Sequence, residues 1–172
     1  YAAPGGIVGI SIKDIQSEAS FSMNGNRSFN PASVIKIPVM IEAYNQIEKG
    51  HLSLDTELTL EQHHKLPGSG SIQFLHNKSP FTVSRLIDLM ITDSDNTATA
   101  MLIEKLGMYR INATMKRVGL RKTVLRDWTM LNKLPGRHNT TTPEDMLIVM
   151  EKMYHGTLIS KSASDQMLTV MK

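Results

Sequence analysis

Ser33 and Lys36 stand three residues apart in Asn30-Pro31-Ala32-Ser33-Val34-Ile35-Lys36-Ile37-Pro38, a spacing that on a helix puts both side chains on one face. A serine hydroxyl is a weak nucleophile near neutral pH and needs an adjacent base or cation. Lys36 supplies one where burial and a nearby positive group hold its pKa low enough for the amine to take the proton. The pair is therefore a route to an alkoxide without histidine. A serine N-cap with a solvated lysine has the same spacing, so the tetrapeptide needs company.

That company is Ser94-Asp95-Asn96, about sixty residues on, inside Leu89-Met90-Ile91-Thr92-Asp93-Ser94-Asp95-Asn96-Thr97-Ala98. S-x-x-K followed by S-D-N is the pairing of class A β-lactamases and penicillin-binding proteins. The chain resembles these penicillin-recognising serine enzymes, most closely the class A β-lactamase-like branch, from the run near Ile7 to the pattern near Met150. The Pro67-Gly68-Ser69-Gly70-Ser71 turn and Asn139-Thr140-Thr141-Thr142-Pro143 support the likeness more weakly. The family's third motif, K-[ST]-G, is missing: Lys122-Thr123 is followed by Val124, Lys161-Ser162 by Ala163, and His155-Gly156-Thr157 has the wrong order.

The resemblance implies roles. Ser33 is the nucleophile and Lys36 its base. Ser94 relays the proton to the departing nitrogen, and Asn96 bonds the substrate amide and Lys36. Asp95 fastens its own loop, and Ser69 and Gly70 line the cleft opposite Ser94, although Gly and Ser clusters ordinarily mark turns. Ser94, Asp95 and Asn96 before Thr97-Ala98 also read as a helix N-cap, and both readings hold together. The Ser33 N–H is one oxyanion donor. The second donor belongs to a strand that this chain lacks. The deacylating Glu is absent too: in Arg126-Asp127-Trp128-Thr129-Met130-Leu131-Asn132, aligned on Leu131-Asn132, Trp128 takes its place. Asp127 is the surrogate candidate, and Asn139 stands where an Asp would pair with Arg126. The expected activity is β-lactam hydrolysis through a Ser33 acyl-enzyme. The alternatives are a D-alanyl-D-alanine peptidase with slow deacylation and a non-catalytic β-lactam- or peptidoglycan-binding module.

Positioning these residues requires an α+β fold of the serine β-lactamase/DD-peptidase type, an antiparallel sheet flanked by helices plus a helical lobe. Ile7 to Ile12 and the alternation Ala19, Phe21, Met23 predict two strands. Helices are predicted from Pro31 to the stop at Gly50, through Val83, Leu86, Ile87 and Met90, and over Thr97–Leu106, Tyr109–Val118, Pro143–Tyr154 and Ser162–Met171. One strand pair is marginal alone. The expectation is one domain over 1–172 lacking its C-terminal strands: a strand pair in 1–32, a mostly helical lobe in 33–156, and the start of a return to the sheet in 157–172. A complementary C-terminal segment or second chain is the implied partner.

The 172 residues suffice for one core. The net charge of +3 and pI near 9.2 come from dispersed Lys and Arg with one Trp and four Phe, so nucleic acid is a poor partner. No apolar run reaches the roughly twenty residues of a membrane span. The absence of cysteine excludes disulfides and thiolate metal sites. A start at Tyr1 is expected of a mature or trimmed form, and the family implies an extracytoplasmic address. No metal or organic cofactor is called for: His63-His64 has no carboxylate or Cys at ligand spacing and reads as solvated loop, and the twelve Met read as core filler.

Overall fold

A computed structural model describes residues 5–129, 136 and 138–172. Two strands open the chain, β1 (Ile10–Lys13) and β2 (Ser20–Met23), paired antiparallel with Ile12 opposite Phe21. A 3-10 turn over Ala32–Ile35 runs into α1 (Lys36–Glu48). Pro38 is tolerated there because a first-turn N–H has no intrahelical acceptor. Helix α1 ends before Gly50, whose φ of +70° suits only a residue without a side chain. Every residue from Pro38 to Gln46 is buried, so α1 is the central rod, packed on by four other helices.

Those helices are α2 (Val83–Thr92), α3 (Asn96–Leu106), α4 (Met108–Val118) and α6 (Lys161–Val170), with α5 (Pro143–Tyr154) joining α6 to β1. The pattern Val83, Leu86, Ile87, Met90 is the buried stripe of α2, each side chain contributing about 1.5–3 kcal/mol on burial. Side-chain caps set the starts: Thr82 accepts from Arg85 N, Asp95 from Ala98 N, Thr142 from Asp145 N, and Ser160 from Ala163 N. Among the described residues, no helix is long and apolar enough to cross a membrane.

The structure adds detail to the expected layout. A second antiparallel pair, β3 (Glu57–Thr59) with β4 (Pro80–Thr82), lies within the lobe read as helical. Three-residue strands carry too little alternation to register in sequence, and their pairing is set by Leu58 and Phe81 packing on the core. Residues 161–170 form α6 where a helix over Ser162–Met171 is expected, packed against α5 and α1.

Candidate active site

The 3-10 turn carries Ser33 to the surface and leaves Lys36, at the first position of α1, 2% exposed. Ala32 just before the serine has φ +45° and Ser94 has φ +54°. An L-residue held in this left-handed region costs roughly 1–2 kcal/mol, so the surroundings impose both conformations. Such strain collects where a side chain must be aimed, and here it flanks one cluster.

Ser94 Oγ lies 2.8 Å from Ser33 Oγ and 2.8 Å from Lys36 Nζ. Lys36 Nζ also donates to Asn96 Oδ1 at 3.0 Å and to the Ser94 carbonyl. An ammonium has three protons, and these acceptors take all three. The spacing rule placed Lys36 directly beside the Ser33 hydroxyl; the structure instead puts Ser94 between them, because the lysine leaves α1 toward the S-D-N loop. Burial pushes Lys36 from its ordinary 10.5 down to about 8, against the opposing pull of Asp95. The nearby positive group expected from sequence plays no part in that shift.

Asp95 fastens two segments. Its Oδ1 caps α3 through Ala98 N at 2.8 Å, and its Oδ2 accepts from Ile72 N at 3.0 Å. The glycine turn is clamped to the same loop: Asn96 N donates to Ser69 O, Asn96 Nδ2 to Pro67 O, and Ser69 Oγ to Asp93 O. A Cβ on Gly70, at φ +98°, would sit 2.1 Å from the Asp95 carboxyl and 2.5 Å from its Cα. Gly70 is thus a close-approach glycine, and Ser69, though exposed, already uses its hydroxyl within the loop. Sequence reading missed this bracing, for which the paired glycines were the one available signal.

Asp127 is 3% exposed and its Oδ1 accepts from Thr129 N and Thr129 Oγ1. Its described hydrogen bonds do not reach Ser33, Lys36 or Ser94. Asn139 takes over the bracing of this stretch, accepting from Arg126 N and Asp127 N and donating to Asp127 O. Trp128 is 37% exposed. Asn132 lies outside the described residues, as do Met130 and Leu131. A cavity of about 270 Å3 beside the cluster is lined by Ser33, Lys36, Ser94, Met90, Ile91 and Met171, among others.

His63 and His64 are not both solvated. His64 is buried, its Nδ1 accepts from Glu61 N at 3.0 Å, and both Nε2 atoms face Glu104 Oε2, at 2.7 Å from His63 and 3.2 Å from His64. An accepting Nδ1 puts the ring proton of neutral His64 on Nε2. His64 Nε2 faces the carboxylate at 3.2 Å without a hydrogen-bond partner among the described residues, and Glu104 supplies the carboxylate company that sequence reading did not place beside the histidine pair.

A helical lobe crossed by a buried rod, with Ser33, Lys36, Ser94 and Asn96 drawn together at its edge, defines the penicillin-recognising serine fold. The sequence model of the β-lactamase enzyme family matches residues 1–172. The chain belongs to that family. Among curated relatives, β-lactamase BRO-1 of Moraxella catarrhalis is 22% identical over 166 residues, 94% of this chain and 53% of its own length. β-Lactamase VEB-1 of Pseudomonas aeruginosa is 22% identical over 102 residues, 58% of this chain and 34% of its own. The solved β-lactamase of Sphaerobacter thermophilus superposes with a TM-score of 0.89 at 32% identity, covering 94% of this chain and 62% of that one. A mutant of PBP-A, solved as its acyl-enzyme complex with penicillin G, gives 0.89 at 31% identity, covering 95% and 61%. The chain thus spans about a third to a half of the curated relatives and under two thirds of these structures.

Proposed function

We propose that the intact protein is a serine acyl-transfer enzyme that hydrolyses β-lactams through an ester on Ser33. The observation that carries this reading is the unbroken chain from Ser33 Oγ through Ser94 Oγ to Lys36 Nζ, 2.8 Å at each step. With Lys36 neutral, its lone pair takes the Ser94 proton while Ser94 takes that of Ser33. The Ser33 oxygen attacks the lactam carbonyl, the C–N bond breaks, and the proton returns through Ser94 to the departing nitrogen. Water then cleaves the ester, releasing the acid and restoring the hydroxyl. The Ser33 N–H, which has no acceptor among the described residues, serves as one oxyanion donor; losing one such donor typically costs about 10²–10³ in rate. Asn96 offers the substrate amide its second Nδ2 proton.

A second reading, a D-alanyl-D-alanine peptidase or penicillin-binding protein with slow deacylation, is favoured by the position of Asp127. Its carboxylate accepts from Thr129, and its described hydrogen bonds reach neither Ser33 nor Lys36, which supports slow hydrolysis of the ester. The D-alanyl-D-alanine peptide is part of the cell wall and the β-lactam is its mimic, which supports an extracytoplasmic address. The reading that the rest of the sheet is supplied by a further segment or chain rests on the uncovered hairpin: Ile10, Ile12, Phe21 and Met23 are 36–59% exposed.

The test is intact mass of the complete protein after benzylpenicillin. A persistent penicilloyl adduct that Ser33→Ala abolishes supports acyl transfer with slow deacylation. An adduct that turns over rapidly supports the hydrolase. Reversible binding with no adduct at any time leaves only a binding module.

A further inference from the structure

A cavity of about 610 Å3 opens between the C-terminal halves of α1 and α3 and one face of α4. Lys49, Lys105, Arg110 and Arg117 line it, with Glu42 as the single carboxylate. Those four cations against one carboxylate give a local charge of +3, equal to the net charge of the whole chain. Outside this pocket the remaining fifteen Lys and Arg are matched in number by fifteen Asp and Glu. Among the described residues, Lys49, Lys105 and Arg110 have no ion-pair partner.

The floor is built rather than incidental. Glu42, 2% exposed, receives Gln46 Nε2 at 2.8 Å on Oε1, and Asn45 Nδ2 at 2.9 Å and Thr114 Oγ1 at 2.6 Å on Oε2. Asn45 Oδ1 in turn accepts from Arg117 Nη2 at 2.7 Å, which orients that guanidinium. Three of the cations have an ordinary explanation: Lys49 caps α1, and Lys105 and Arg117 lie in the last turns of α3 and α4, where a helix dipole favours positive charge. Arg110 does not. It lies in the first turn of α4, which has no acidic residue and no side-chain cap, at the end where the dipole disfavours a cation.

We propose that this pocket binds a compact multivalent oxyanion bearing phosphate or carboxylate groups. Its charged groups sit at the rim between Lys49, Lys105, Arg110 and Arg117, and the buried Glu42 keeps them from the floor. The site is separate from the serine cluster: Lys36 and Gln46 are ten residues apart on α1, about 15 Å along the axis. Binding here rests on none of the acyl-transfer chemistry.

The experiment titrates the complete protein with pyrophosphate and, separately, citrate at low ionic strength, followed by amide shifts and calorimetry. The expected result is saturable one-to-one binding, with shifts confined to the second half of α1, the end of α3 and α4. The double variant Lys105→Glu, Arg110→Glu changes only exposed residues and weakens binding at least about tenfold with the circular dichroism spectrum retained. Arg110→Lys keeps most of the affinity, since the charge is preserved. Pyrophosphate without citrate identifies a phosphate ligand; both together identify the wider oxyanion class. No saturation, shifts scattered over the surface, equal binding by the double variant, or equal displacement by chloride at matched ionic strength overturns the proposal.

Discussion

The helical lobe and the β1–β2 hairpin treat apolar surface in opposite ways. In the lobe, α1 is wrapped by its neighbours, and Val39, Met40, Ile41, Leu86 and Met90 have no solvent exposure. In the hairpin, the polar face turns inward, with Lys13 on Glu151 at 2.6 Å and Ser22 on Glu144 at 3.4 Å. The apolar Ile10, Ile12, Phe21 and Met23 face outward. The lobe can therefore hold the Ser33, Ser94 and Lys36 cluster with interactions it contains itself. The hairpin lacks the burial that stabilises the lobe, and its apolar residues are left open to solvent.

This contrast predicts unequal responses to mutation. Leu86→Ala empties a fully buried site in the lobe and is expected to cost about 2–5 kcal/mol, read from the urea midpoint; a cost below that range would mean a loosely packed lobe. Gly70→Ala drives a methyl into the Asp95 carboxyl, and overpacking of this kind costs about 1–3 kcal/mol. Its acylation should fall by more than its stability explains, because Asp95 positions Ser94 and Asn96; wild-type acylation in a folded Gly70→Ala protein would sink the bracing role.

Lys36 gives a pH signature. Its pKa is lowered by burial to about 8, so the neutral amine increases as pH rises, and single-turnover acylation should climb roughly tenfold per pH unit below that value and level above it. Folding follows the same sign. Between about 8 and the ordinary 10.5 the unfolded chain binds the proton and the folded chain does not, so stability grows with pH across that window. Lys36→Met should flatten this component of the profile and remove acylation. A plateau reached well below pH 8 would assign the base elsewhere.

The smallest effect belongs to the hairpin. Phe21→Thr should change the stability of this chain by less than about 0.5 kcal/mol, read from the same urea midpoint. A loss as large as that of Leu86→Ala would show that the hairpin is already covered and erase the contrast.

The helices were legible because their ends are chemical. Gly50, Gly107, Gly119 and Gly156 stop them, and Thr142-Pro143 and Asp95 start them. The S-x-x-K and S-D-N motifs were legible as an expectation of shared chemistry. The bonding order within the cluster was not, because local spacing speaks of Ser33 and Lys36 on one helix and is silent on a loop arriving from sixty residues away. The buried His64 was misread for the same reason, since it owes its state to a partner on α3.

Sequence alone determined the periodic helices, their caps and the residue types a serine acyl transfer requires, all of which are local properties of neighbouring side chains. Only tertiary structure decided that Ser94 stands between Ser33 and Lys36, that Gly70 lies against Asp95, and that four cations share one cavity. Those are distances between segments far apart in the chain, set by how the helices pack rather than by any residue's own preference.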